Sequence, residues 1–475
     1  MMKKEKFFWI ILGLSLLWFV LYLYLTPYDL SPDEAYYWTW SKRLSLGYYS
    51  KPPMVAFLIR LGTLIGGDKA IFVRLFAPIL WALSSLCFFY WARGLFGVEV
   101  AFKAFLLSLF TLLTPLMGFF MTIDAPLVFF WTLTLFLFSL ALKKGKPLYF
   151  YLMGLSFGLG LLSKYTMAIL GVSLFLYLLF TPSLRPYLRR KEPYLGFLLA
   201  LGVFLPHFLW ESKYGFVAFR HTASLLKKGS SFDPLSFVTF LGSQFLLLTP
   251  LTFFLFLKGL WRTFKESLKG DFSYGLPFWA SSLLFLVCSL KSLFGPCYAN
   301  WGAPAYVGGL ILASRPENRR LLFLSILIGA FFIGLAYNAE SLRRFSHLSP
   351  EDFPTSRLLG WRELGEEVKS LRRTLGDPFI LGSDRNILSE VAFYGEAFPR
   401  VYQYGGKESQ FDLWGGLERE KGKDALIVLR SNKKLPSEFE KSFSQCTFLK
   451  DFEVVKKGVR IKSFSLYLCE DFKGL

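Results

Sequence analysis

Two adjacent carboxylates, Asp33 and Glu34, stand in the stretch SPDEAYYWTW, soon after an apolar run over 7–25. A carboxylate at such a place can take a proton from a hydroxyl. The two acids need not share that task. Ser31 and Glu34 have the spacing of a capping box, with Pro32 as first helical residue, which gives Glu34 a structural reason to be there. Asp33 lies outside that box; a helix start favours an acid through its dipole, and chemistry is the other reading. Further polar groups recur in short motifs: Lys51 in YYSKPP, Asp124 in TIDAP, Lys164 and Tyr165 in SKYT, Arg220 and His221 in FRHT, and Tyr298 and Asn300 in GPCYANW. The cations suit a phosphate, and the acids suit proton removal. Arg220 and Lys164 can equally be interfacial cations that snorkel. His221 has no neighbouring partner for a metal and reads first as a hydrogen-bonded surface residue.

One reaction uses both sets of groups: transfer of a sugar from a lipid phosphate to a hydroxyl. Glycoside hydrolysis needs two carboxylates because an alkoxide leaving group must be protonated. A phosphate leaves without an acid, so one base with cationic stabilisation suffices.

The elements that must position these residues are membrane helices. Of 475 residues 53% are hydrophobic and 19% aromatic, with a mean hydropathy of +0.42. Continuous apolar runs approach the ~20 residues that cross a bilayer, and they lack the alternation of a barrel strand. Eleven spans are expected near 7–25, 70–96, 103–120, 126–142, 148–163, 166–180, 194–210, 235–257, 274–290, 301–314 and 320–337. The first is too long for a signal peptide and no small-residue cleavage site follows it. The net charge of +20 does not point to nucleic acid, because the cations sit in short loops. With Lys3, Lys4 and Lys6 in the cytoplasm, so are Lys143, Lys144 and Lys146; Arg185, Arg189, Arg190 and Lys191; Lys258, Arg262, Lys265 and Lys269; and Arg315, Arg319 and Arg320, as the positive-inside rule requires. The motifs above then fall on the outer face, the first within an outer loop at 26–69. Arg74, near the outer end of the second span, is expected to seek an acid of that loop.

From about 338 the apolar runs shorten. WRELGEEVKSLRRTL reads as an amphipathic helix, and PFILGSD, RVYQYG and DALIVLRS as strands. The expectation is a membrane domain at 1–337 and an extracytoplasmic α/β domain at 338–475. Cys446 and Cys469 can form a disulfide or stand as two buried thiols. No CxxC pair, Walker motif or GxGxxG loop is present.

The stretches SPDEAYYWTWSKRLSLGYYSKPPMVAFLIRLGT, TIDAPLVFFW, LSKYTM and ANWGAPAY resemble the bacterial branch of the protein mannosyltransferase family 39/aminoarabinose transferase group. SDRNILSEVAFYGEAFPRVYQYGGKESQFDLW resembles the outer domain of its bacterial members. The resemblance implies the GT-C fold and an integral-membrane glycosyltransferase using a polyprenyl-phosphate sugar. It implies that Asp33 is catalytic, that Lys51 contacts the donor phosphate, that Tyr37 is a first-loop site tyrosine, and that Asp124 shapes the site. Two positions depart from the aminoarabinose transferases: Tyr36 replaces an arginine, and Ser50 replaces a glutamate associated with a metal. A divalent cation therefore stays open, with no metal ligand assigned.

The reading is an inverting transferase of the inner membrane, with lipid A, another envelope glycan or a protein as acceptor. Asp33 is the base, assisted by Asp124 and Glu34. Lys51, Arg220 and Lys164 face the phosphate, and Tyr37, Tyr165, His221, Tyr298 and Asn300 line the substrate. A transporter or flippase is the reading from another class. No internal repeat supports it, and the acids lie in loops rather than in mid-span.

Overall fold

The structure, a computed structural model, describes residues 2–229, 231–268, 272–315, 319–345, 349–350, 352–431, 435–456 and 458–474. Lys269, expected in a basic loop, lies outside them. The chain forms two compact units, Met1–Tyr24, Lys51–Val55 and Arg74–Tyr337 in the first, and Leu25–Ser50, Ala56–Val73 and Asn338–Leu475 in the second. Most of 26–69, expected as an outer loop within a membrane domain at 1–337, falls in the compact unit that holds 338–475.

The first unit is helical. Among the described residues six helices are long and apolar enough to cross a bilayer, or eight if each bent pair counts once. Every expected span is helical, but several are short or broken. Ala70–Leu109 is one run of 40 residues, about 60 Å at 1.5 Å per residue and twice a bilayer core. It is interrupted at Gly97 (φ 83°), beside the polar stretch that holds Glu99 and Lys103. The expected span 103–120 stops at Leu109 and resumes as Leu113–Phe119. The span expected at 235–257 is two helices, Pro234–Leu248 and Pro250–Glu266, bent by 106°. Pro250 cannot continue the first helix and excludes the helical region for the residue before it. Thr249, the residue before it, sits outside the helical region at φ 70°. The span expected at 301–314 is a short 3-10 turn, Ala299–Gly302, followed by Ala305–Ala313.

Packing in this unit relies on aromatics and on small residues. Phe8, Trp91, Phe105, Trp131, Phe150 and Tyr177 are fully buried. Helices Pro147–Leu161 and Lys191–Lys213 meet through glycine: a Cβ on Gly154 would stand 1.9 Å from the Gly196 carbonyl oxygen, and one on Gly158 2.9 Å from that of Ala200. Small residues let membrane helices approach closely where lipid offers no hydrophobic contrast.

The second unit holds the first-loop helix Pro32–Lys42 and a five-stranded sheet. The strands are β1 (Phe379–Gly382), β2 (Val401–Gln403), β3 (Ala425–Arg430), β4 (Phe443–Lys456) and β5 (Val459–Phe472), in the order β2-β1-β3-β5-β4. β1 pairs parallel with β2 and β3, while β5 runs antiparallel to β3 and β4. The helix Trp361–Thr374 and the first three strands lie where the sequence puts them. The hairpin β4–β5 was not legible, because most of β4 is exposed and carries polar residues between its apolar ones. Cys446 and Cys469 are register partners on its two strands and form a disulfide.

Candidate active site

In the second unit, Ser31 and Glu34 form the expected box. Glu34 N–H donates to Ser31 Oγ (3.4 Å), and Ser31 N–H donates to Glu34 Oε2 (2.9 Å). Glu34 is fully buried. Asp33, one residue earlier, is turned out, with its side chain 51% exposed. Its Oδ1 accepts from Arg385 Nη2 at 3.0 Å, and among the described residues no hydrogen bond reaches Oδ2. Arg385 opens the helix Arg385–Tyr394, whose N-cap is Asp384. Its guanidinium lies 4.6 Å from the centre of the Tyr36 ring, and the buried Tyr36 hydroxyl accepts from Gln410 N–H at 2.5 Å. A guanidinium from a distant helix thus covers the residue that replaces the expected arginine. Tyr37 is buried, its ring 4.9 Å from that of Trp40.

In the first unit, three turns converge. Asp124 starts the helix Asp124–Lys144, where the dipole favours a carboxylate. Its Oδ1 accepts from Lys164 Nζ (2.7 Å) and its Oδ2 from Asn300 Nδ2 (2.6 Å). Asp124 and Lys164 are both buried. A buried ion pair is tolerable only when its remaining lone pairs are also satisfied, and Asn300 does that. Asp124 and Asn300, expected to serve the reaction, are therefore joined to Lys164, expected to hold phosphate. Beside it, the Tyr165 hydroxyl lies 2.8 Å from His207 Nε2 and 3.4 Å from Glu211 Oε1. Burial first, and Glu211 second, push this phenol well above its ordinary range, so it stays a hydroxyl. Glu211 Oε2 also accepts from Ala218 N–H (3.1 Å), tying the helix Val217–Lys227 to Lys191–Lys213. His207 and Glu211 were missed; their i, i+4 spacing at the end of an apolar run was the available signal.

The other expected residues do not join these clusters. Arg220 is exposed on Val217–Lys227, and no hydrogen bond or ion pair holds its guanidinium among the described residues. His221 follows it, partly buried, its carbonyl accepting from Ser224 Oγ. Lys51, partly buried, precedes Pro52 and the helix Met54–Gly66, whose first N–H donates to the Leu162 carbonyl at 3.1 Å. Tyr298 is half exposed, its ring 5.6 Å from Trp301. Arg74 is buried with its guanidinium 4.3 Å from the centre of the Phe119 ring. Ser50 is buried and supplies no carboxylate. No group of three or more His, Cys, Asp or Glu gathers to hold a metal ion among the described residues. The described residues do not make such a site.

The family model of dolichyl-phosphate-mannose-protein mannosyltransferases matches residues 50–210. The lipid A galacturonosyltransferase RgtD of Rhizobium johnstonii is 29% identical over 413 residues, 83% of each chain. Among solved structures, ArnT from Cupriavidus metallidurans superposes with a TM-score of 0.66 at 15% identity, covering 97% of each chain. The same protein bound to undecaprenyl phosphate gives 0.66 at 16%, covering 96% of this chain and 98% of that one. The Archaeoglobus fulgidus oligosaccharyltransferase gives 0.53 at 12%, covering 84% of this chain and 64% of its own. The transporter reading has no support among these likenesses. With its bundle of apolar helices and its small α/β domain, the chain is a multi-pass membrane glycosyltransferase with the GT-C fold, similar to mannosyltransferase-like and lipid A-modifying enzymes.

Proposed function

We propose that the protein transfers a sugar from a polyprenyl-phosphate donor to lipid A or another envelope glycan on the outer face of the membrane. The likeness to a lipid A galacturonosyltransferase makes a hexuronic acid the first sugar to test. The likeness to a structure holding undecaprenyl phosphate supports the donor class. The disulfide suits an oxidising compartment and so supports an extracytoplasmic second unit.

Asp33 is the general base. The single observation that carries this is the division of labour at the helix start: Glu34 is buried and spent on the cap, while Asp33 is half exposed, with no hydrogen bond to Oδ2 among the described residues. The acceptor hydroxyl gives its proton to Asp33 and attacks the anomeric carbon from the face opposite the phosphate, inverting it. Lys51 and Arg220 stabilise the leaving phosphate. Lys164 and Asn300 fix Asp124, which shapes the sugar subsite with Tyr165.

The test is mass spectrometry of lipid A and other envelope glycolipids from cells carrying wild type, Asp33→Asn, Glu34→Gln or no protein, at equal membrane expression. A sugar-sized mass present with wild type and absent with Asp33→Asn is expected. Glu34→Gln keeps the product and loses about 0.5–2 kcal/mol at the helix start. Identical profiles in all four sink glycolipid transfer. A second reading, transfer to protein, is favoured by the family match to protein mannosyltransferases; glycoprotein staining of the same cells separates it.

A further inference from the structure

Arg385 has no role in the reaction as described so far. Its contacts are specific: it holds one oxygen of Asp33 and leaves the other open, and its planar group lies on a buried tyrosine ring. That ring is fixed in turn by the Gln410 backbone. The pair is not needed to hold the first-loop segment in its unit. Leu30 N–H donates to Tyr394 Oη (2.7 Å), Trp361 N–H to Asp29 Oδ2 (2.9 Å), and Tyr49 N–H to Gln410 Oε1 (2.7 Å). A half-exposed ion pair adds little to such a set. Around the pair stand Glu34, Tyr36 and Tyr37 on the helix of Asp33, and Asp384 next to Arg385. Glu34 is spent on its cap, and Asp384 accepts from Asn386 N–H (2.9 Å) and pairs with Arg430 (3.4 Å).

Resting on the reading of Asp33 as base, we propose that Arg385 is its positioning residue. It clamps Oδ1 so that Oδ2 points at the acceptor hydroxyl. In the step it serves, the acceptor proton passes to Oδ2 and the acceptor oxygen bonds to the anomeric carbon. The bond from that carbon to the phosphate oxygen breaks, leaving its electron pair on the phosphate. Positioning of a reacting group by a rigid neighbour is worth large factors in rate.

The test uses full-length protein in native membranes, with extracted lipid A as the acceptor probe and product followed by mass spectrometry across pH. Arg385→Gln is expected to lower turnover at least about 10-fold. KM for the acceptor changes little, and Arg385→Lys restores part of the rate. Asp33→Asn abolishes the product at every pH. If Asp33→Asn is inactive while Arg385→Gln keeps the wild-type rate, this proposal fails and the assignment of the base survives. A rate loss that only tracks lost folded protein, with no recovery in Arg385→Lys, makes Arg385 structural and also overturns it. If Asp33→Asn turns over like wild type, or no membranes give product, the reading of function falls and takes the proposal with it.

Discussion

At the residue scale, the buried pair of Asp124 and Lys164 makes a sharp prediction. Their side chains are only 4% and 11% exposed. Asp124→Asn leaves a buried ammonium without its counter-charge, which costs about 3–5 kcal/mol. Thermal unfolding of the detergent-purified protein should show the loss, and Asp124→Asn with Lys164→Met should recover a good part of it. If the double variant is no more stable than the single one, the pair is not what holds the three turns. These residues were legible because acids and cations at membrane-surface turns are costly and rare. What joins them was not, since Asn300 lies 176 residues from Asp124. Arg385 was invisible for the same reason, standing 352 residues from the carboxylate it holds in an ordinary helix start. The capping box, by contrast, is written within four residues, and it formed as spelled.

At the scale of elements, the apolar runs located every expected span but not where each one breaks. Pro250 was visible within a run read as one span; the apolar character on both sides outweighed it, although proline sets the bend. Close contacts between helices were not visible at all. Gly154 reads as one more small residue in an apolar run, yet Pro147–Leu161 rests on it against Lys191–Lys213. The first of these helices leads into the turn with Lys164 and Tyr165, and the second carries His207 and Glu211. Gly154→Val should force them apart, lowering stability by about 1–3 kcal/mol and reducing sugar transfer through displaced turn residues. Equal melting temperature and equal product in wild type and variant would show that the approach is not needed. The β4–β5 hairpin escaped notice because an exposed strand need not alternate cleanly, whereas the buried run ALIVLR of β3 was plain.

At the scale of the whole molecule, one lysine links fold stability to pH. Lys462 on β5 donates to the carbonyls of Ser356 (2.6 Å) and Leu359, and its ammonium lies 3.8 Å from the centre of the Trp361 ring. Burial is the main cause that pushes its pKa down to about 7, against an ordinary 10.5, with Glu390 and Asp29 pulling the other way. Between those values the unfolded chain carries a proton that the folded one has released. Stability therefore rises with pH through that window. Wild type should gain melting temperature between pH 7 and 9 relative to Lys462→Met; parallel curves from pH 6 to 9 would refute the linkage.

The composition of the second unit also sets a timetable for biogenesis. Its first-loop residues contact partners made much later; Tyr36 and Gln410 are 374 residues apart. At about 5–20 residues per second, a ribosome needs roughly 20–75 s to cover that distance. For all that time the helix Pro32–Lys42 has been delivered but lacks the sheet and helices it will pack on. Its buried faces, with Tyr36, Trp38 and Trp40 among them, must be sheltered meanwhile by lipid, by a chaperone or by the half-built bundle. Maturation of this enzyme is thus a late event, completed only after the last span has been inserted and the final strands have been synthesised.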